Sequence, residues 1–229
     1  MNLALAQHAR YCAALESCGV LLTRLAADAD FPDSTFVEDT AIVTGEFAVL
    51  TRPGAVSRAG EVARIEPTLR AAFARMHEIV APGTVDGGDV CQADGHFFIG
   101  VSERTNEQGA FQLGAILAHE GYTCAIVDIR TVGGILHLKS GISYLGDRRL
   151  VLIDELAAHP AFRDFDIVRI AAQESYAANF LRINKRVVVA AGFPHFTSAV
   201  RALGYDPLAL DMSEFRKMDG ALSCLSLRF

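Results

Sequence analysis

The stretch Thr35–Gly54, TFVEDTAIVTGEFAVLTRPG, reads as two short strands around a glycine-containing turn, and the segment that follows, Gly60–Met76 (GEVARIEPTLRAAFARM), has the apolar spacing of an amphipathic helix. The first strand carries polar residues and the second is strongly apolar. This order returns three times: VDGGDVCQADGHFFIGVS with NEQGAFQLGAILAHEG, LHLKSGISYLGDRRLVLID with ELAAHPAFRD, and ESYAANFLRINKRVVVAAG with FTSAVRALG. MDGALSCLSLRF opens a fifth copy and breaks off at the C-terminus. The turns ADGH, LGDR and INKR have hairpin chemistry between runs rich in β-branched and aromatic residues.

Corresponding points lie 48 residues apart from Glu38 to Asp86, 51 from Asp86 to His137, 42 from His137 to Asn179 and 45 from Asn179 to Cys224. Each period is one supersecondary unit, and units that cannot bury their own apolar face stack or close into rings. The sequence therefore predicts an α/β fold, a five-unit pseudo-symmetric propeller. Its fifth copy would be completed by the N-terminal helix LALAQHARYCAALESCG and the strand VLLTRLAA. In such a ring the first strand of every unit lines a central channel. Glu38, Asp86, His137, Asn179 and Cys224 should then converge. On position alone Cys224 would read as a small packing residue; shared placement with the other four makes it part of a site.

No Pro/Gly/Ser linker or charge block divides the 229 residues, so residues 1–229 read as a single domain. A net charge of −6 disfavours nucleic acid and anionic membranes and suits a cationic small substrate. The five cysteines are odd in number, far apart and without a CxxC pair, which argues against a disulfide framework or zinc knuckle. No signal peptide opens the chain, and the longest apolar stretch, VVVAAGF, is too short to span a bilayer. The expectation is a soluble cytoplasmic protein.

The motifs FPDSTFVEDTA, TRPGAVSR, TVDGGD, SERTN, LHLKSG and SCLSLRF, in this order and at this spacing, resemble the dimethylarginine dimethylaminohydrolase family of the pentein superfamily of guanidine-modifying enzymes. The resemblance runs from about residue 3 to the end. It implies the five-unit pentein propeller and metal-independent hydrolysis of Nω-methylated L-arginine to L-citrulline and a methylamine, with no cofactor. Carried onto this chain, it makes Cys224 the attacking thiolate that forms a covalent amidino-thioether. His137 becomes the acid that protonates the leaving amine and then the base that activates water.

A guanidinium carbon is poorly electrophilic, so a strong nucleophile and a proton donor are what the chemistry requires. The adjacent pair Glu38 and Asp39, read as strand residues, must point to opposite faces, so one at least is inside. The resemblance assigns both to the planar guanidinium, which suits paired carboxylates, and has Asp86 orient His137 or contact the substrate nitrogens. It further implies that Asp33 holds the α-ammonium, together with a main-chain carbonyl at Met218. Arg58 and Arg104, at equivalent loops of successive units, would hold the α-carboxylate. Asp89 reads as structural, holding the DGGD turn, and Cys12, Cys18, Cys91 and Cys124 as packing residues.

Two rivals share these features. A related pentein hydrolase would take arginine or citrulline, because methyl tolerance depends on pocket volume. A non-catalytic binding propeller is opposed by the Cys and His and by the acidic charge. Members of the family begin earlier, with a strand and a mobile loop that closes over the substrate, whereas this chain opens on NLALAQHARYC. The fold is therefore expected to lack its first N-terminal strand. The uncovered edge beside Cys224 then invites pairing with a second chain as a homodimer.

Overall fold

A computed structural model describes residues 2–229. Helix α1 (Asn2–Ser17) leads through irregular chain to β1 (Ala41–Val43), β2 (Phe47–Leu50), helix α2 (Glu61–Ala72) and β3 (Arg75–Glu78). The order recurs as β4 (Val90–Ala93), β5 (His96–Val101), α3 (Glu107–His119) and β6 (Thr123–Asp128). A third set, β7 (Ile142–Gly146), β8 (Arg149–Ile153) and β9 (Asp166–Ile170), has no α-helix before its last strand. The fourth is β10 (Leu181–Ile183), β11 (Arg186–Ala190), α4 (Pro194–Ala202) and β12 (Asp206–Leu210), and the short α5 (Ser213–Arg216) follows.

Each set forms its own three-stranded sheet with the second strand in the middle. That strand pairs antiparallel with the one before it and parallel with the one after. A hairpin turn suffices for the first pairing, while the second requires a crossover, which is why a helix or long loop intervenes. Asp94 and Asn184 adopt the left-handed backbone that tight hairpin turns demand. The middle strands are buried along almost their whole length, as their unbroken apolar runs Phe47–Leu50 and Leu150–Ile153 require.

The structure corrects three sequence expectations. ELAAHPAFRD is not an α-helix: His159 is extended before Pro160, whose ring disfavours helical backbone in the residue ahead of it, and only the 3-10 turn Pro160–Phe162 forms. Val20–Ala27 forms no strand, because nothing among the described residues offers it a ladder, and Leu21 is fully exposed. The C-terminal copy likewise makes no strand but a 3-10 turn, Ser223–Leu225.

The chain divides into two compact units. One comprises the residues up to Ala26 with Ser140–Ser223. In it α1 is tied down by Tyr11, whose hydroxyl donates to the Leu222 carbonyl at 3.0 Å, and by Gln7, whose Nε2 donates to Ser213 Oγ at 2.8 Å. The other comprises Ala27–Lys139 with Cys224–Phe229. Its core joins Phe47 and Val49 of β2, Phe97, Ile99 and Val101 of β5, and the i, i+3, i+7 stripe Ala110, Leu113 and Leu117 of α3. A second cluster packs Ile65 and Leu69 of α2 with Phe73 against Ala48 and Leu50, with Leu227 of the C-terminal segment alongside.

Candidate active site

The polar residues predicted for the first strands lie just ahead of them. Glu38 and Asp39 are inside the 3-10 turn Val37–Thr40, Asp86 caps the turn Gly87–Asp89, and His137 directly precedes Leu138–Ser140. Asn179 follows the turn Ala172–Ala178, and Cys224 is the middle residue of its own turn. Because Glu38 and Asp39 sit in a tight turn, the strand argument that separates them to opposite faces does not hold. Both are buried, at 3% and 4% exposure.

Three of these turns meet in the second unit. His137 Nε2 lies 3.1 Å from Asp86 Oδ2, and the backbone N–H of Gly54 donates to Asp86 Oδ1 at 2.8 Å. Gly88 N–H donates to Asp39 Oδ1 at 2.8 Å, across 49 residues of chain. The DGGD turn owes its glycines to this crowding. A Cβ on Gly88 would stand 2.6 Å from His137 Nδ1 and 2.9 Å from Asp39 Oδ1, and one on Gly87 would overlap the Glu38 carbonyl. Asp89 accepts from Leu138 N–H at 2.9 Å and from Ser102 Oγ at 2.6 Å, so it anchors the residue after His137 as well as its own turn.

Charge in this cluster is set by burial against pairing. Burial alone would neutralise His137, yet the hydrogen bond to Asp86 and the charges of Asp39, Asp89 and Asp86 outweigh it and raise the imidazole to about 9. Asp86 is lowered: burial opposes its charge, and His137, the Gly54 N–H and Arg58 overcome that. For Asp39 burial wins over the pull of His137 and Arg58, and its carboxyl is raised. Burial also raises Asp89. At neutral pH the site therefore holds an imidazolium hydrogen-bonded to the Asp86 carboxylate, a proton source in an acidic setting. Single ligand atoms of Asp39, Asp86 and His137 lie within 4.8 Å of one another, the spacing of a metal site. Protein N–H groups already donate to both carboxylates there.

The remaining predicted residues are placed unevenly. Glu38 pairs with Lys139 at 2.8 Å and with Arg228 at 3.8 Å. Cys224 is partly exposed, at the start of a C-terminal segment fixed by Leu227 in the core and by Phe229 against Phe73, ring centroids 4.6 Å apart. Asp33 is exposed, and its carboxylate has no partner among the described residues. Arg104 is half-buried on a turn built by Ser102, whose Oγ accepts from the Arg104 and Thr105 N–H groups; no described side chain pairs with its guanidinium.

Arg58 departs from the loop-borne fork expected of it. It is buried, and its nitrogens are bonded to Glu61, Asp39 and the Phe36 carbonyl. Met218 and Asn179 belong to the other unit. The Met218 side chain is exposed, and Asn179 Oδ1 accepts from Ser223 N–H at 2.9 Å while its Nδ2 donates to Ser223 Oγ at 2.9 Å. Sequence reasoning missed Glu61 and Lys139. The only signals were an acid three residues after Arg58 at a helix start, and a cation two residues after His137.

Fold and site together define an α/β protein of repeated hairpin-and-crossover units that gathers an imidazolium and carboxylates on the turns before its hairpins. No protein-family profile matches the chain. The N(G),N(G)-dimethylarginine dimethylaminohydrolase of Pseudomonas aeruginosa is 45% identical over 227 residues, covering 99% of this chain and 88% of that protein. A solved structure of a mutant of the Pseudomonas aeruginosa enzyme complexed with citrulline aligns at a TM-score of 0.96 with 44% identity, over 100% of this chain and 89% of that one. Another, of a dimethylarginine dimethylaminohydrolase adduct with S-methyl-L-thiocitrulline, gives a TM-score of 0.95 with 44% identity over the same shares. The chain belongs to the dimethylarginine dimethylaminohydrolase family.

Proposed function

We propose that the protein hydrolyses Nω-methylated L-arginine to L-citrulline and methylamine or dimethylamine, with Cys224 as nucleophile. The observation that carries this reading is the buried His137 imidazolium, hydrogen-bonded to Asp86 beside the carboxylate of Asp39. Such a site favours a cation and has a proton to give. The Cys224 thiolate adds to the guanidinium carbon; the bond from that carbon to the methylated nitrogen breaks, and the departing amine takes the proton of His137. The neutral imidazole then accepts a proton from water, whose oxygen adds to the same carbon. Cleavage of the C–S bond releases citrulline and restores the thiolate. The S-methyl-L-thiocitrulline adduct and the citrulline complex of the relatives support both halves of this scheme.

Glu38 and Asp39 receive the guanidinium, and Asp33 receives the α-ammonium. Arg58 and Arg104 receive the α-carboxylate. We also infer the five-unit propeller, supported by the recurring turn-and-hairpin order and by the turn at Cys224 that repeats it. A homodimer would cover the exposed Leu21 and Leu25, and the unbridged cysteines suit a reducing cytoplasm. The deciding experiment is mass spectrometry of products from arginine, its mono- and dimethyl forms, agmatine and citrulline. Citrulline with dimethylamine from dimethylarginine is the expected result, and turnover of none of the methylated forms would overturn the reading.

A further inference from the structure

We propose that Asp89 is a positioning residue for two parts of the reaction at once: through the Leu138 N–H it fixes the proton donor His137, and through Ser102 it fixes the turn that presents Arg104 to the substrate carboxylate. This rests on the reading of His137 as proton donor and of Arg104 as a carboxylate ligand.

Asp89 is fully buried, and its two oxygens serve different segments. Oδ1 accepts from the N–H of Leu138, the residue after His137, at 2.9 Å and across 49 residues of chain; Oδ2 accepts from Ser102 Oγ at 2.6 Å. A residue that merely held the DGGD turn would bond within it, and both of these bonds leave it. Ser102 Oγ in turn accepts from the N–H groups of Arg104 at 2.9 Å and Thr105 at 3.1 Å. A hydroxyl oxygen has two lone pairs and one proton, so with both pairs taken the proton must go to Asp89. Both Asp89 oxygens are therefore needed as acceptors, which a carboxylate supplies and an amide does not. Thr105 closes the frame: its Oγ1 accepts from the Asp86 N–H at 3.0 Å, tying the same turn to the residue that holds His137. Gly100 of β5 makes the room, since a Cβ there would stand 2.9 Å from Leu138 Cβ and 3.0 Å from Asp89 Oδ1. The proton donor and one arm of the carboxylate clamp thus hang from a single buried group.

Steady-state kinetics on dimethylarginine, with agmatine, which has no carboxylate, as competitive inhibitor, separate the two arms. Ser102→Ala cuts the link to the Arg104 turn and leaves the Leu138 bond, so KM for dimethylarginine should rise about 10-fold while kcat and the agmatine Ki stay within about 2-fold of wild type. In an Arg104→Ala background the same replacement should add nothing to KM, because the arm it positions is already gone. Asp89→Asn keeps one acceptor, which the immobile Leu138 N–H should take, and so should reproduce the Ser102→Ala pattern. Asp89→Ala frees both arms and should in addition lower kcat about 100-fold, the scale of a displaced proton donor. Should it not fold, Gly100→Ala, which presses on the same Asp89 and Leu138 contact, is read in its place with a fall in kcat expected. A common rise in KM and agmatine Ki in Ser102→Ala would overturn the proposal, as would unchanged constants, full additivity with Arg104→Ala, or a wild-type kcat in the variant that frees Leu138. Failure of the wild type to turn over dimethylarginine would instead defeat the functional reading beneath it.

Discussion

His137 Nε2 and Asp86 Oδ2 are 3.1 Å apart, and with exposures of 8% and 1% the pair is almost closed off from water. The imidazole sits at about 9 against an unfolded value of 6.5. A folded value above the unfolded one means the stabilisation is fully present below pH 6.5 and is lost as pH climbs to about 9. Its size is about 3 kcal/mol, since each pH unit between the two values is worth about 1.4 kcal/mol. Thermal melts of wild type and His137→Gln across that window should converge toward its upper end. The kcat profile should fall above pH 9 in the wild type, where the proton donor is lost, and Asp86→Asn should move that limb toward neutral pH. A melt difference that does not change between pH 6.5 and 9 would refute the linkage.

Cys224→Ser should abolish turnover while leaving substrate affinity close to wild type. A hydroxyl lacks the acidity and nucleophilicity of the thiol, and the carboxylates that would hold the ligand are untouched. The expected loss in kcat exceeds about 10³-fold, read by citrulline release and by calorimetric titration with dimethylarginine. Substantial residual hydrolysis would remove the covalent step.

What the sequence disclosed and what it hid divide along physical lines. Hairpins and crossovers were legible because alternating apolar runs and turn residues such as Asp94-Gly95 act locally. The helix expected at ELAAHPAFRD failed on a single local cause, the proline, that periodicity does not weigh. Among the site residues, His137 and Asp86 were legible as members of one repeat position. The Arg58–Glu61 pair was not, since an arginine three residues before an acid at a helix start looks the same whether it faces water or an interior carboxylate. Only the fold, which brings Asp39 to that arginine across 19 residues of chain, tells the two apart. The 3-10 turns were hidden for a related reason: a turn and the first residues of a short strand have the same composition.

Asp33 is exposed and its carboxylate is unpaired among the described residues, so replacing it leaves no buried group orphaned. Asp33→Asn should therefore shift stability by less than about 0.5 kcal/mol. As the proposed partner of the α-ammonium it should nonetheless raise KM for dimethylarginine about 10-fold, through a lost charge-assisted hydrogen bond. Denaturant unfolding and steady-state kinetics give the two numbers. An unchanged KM would take Asp33 out of the binding site.

Gly88→Ala tests whether the DGGD turn sets the catalytic geometry. The added methyl would stand 2.6 Å from His137 Nδ1 and 2.9 Å from Asp39 Oδ1, closer than carbon approaches either atom, so the imidazole or the carboxylate must move. Its backbone is not in the left-handed region, so alanine brings no conformational strain of its own. The cost in stability should be about 1–3 kcal/mol, the usual range for one methylene too many in a packed site. Loss of activity should be larger than that figure suggests, because a displacement of even an ångström at the proton donor is worth about 100-fold in rate. Gly45→Ala is the control: it lies in the hairpin turn between β1 and β2, and its added carbon meets nothing within 4 Å. A Gly88→Ala protein that melts like wild type and keeps full kcat would show that the turn tolerates the methyl and that His137 is held by other contacts.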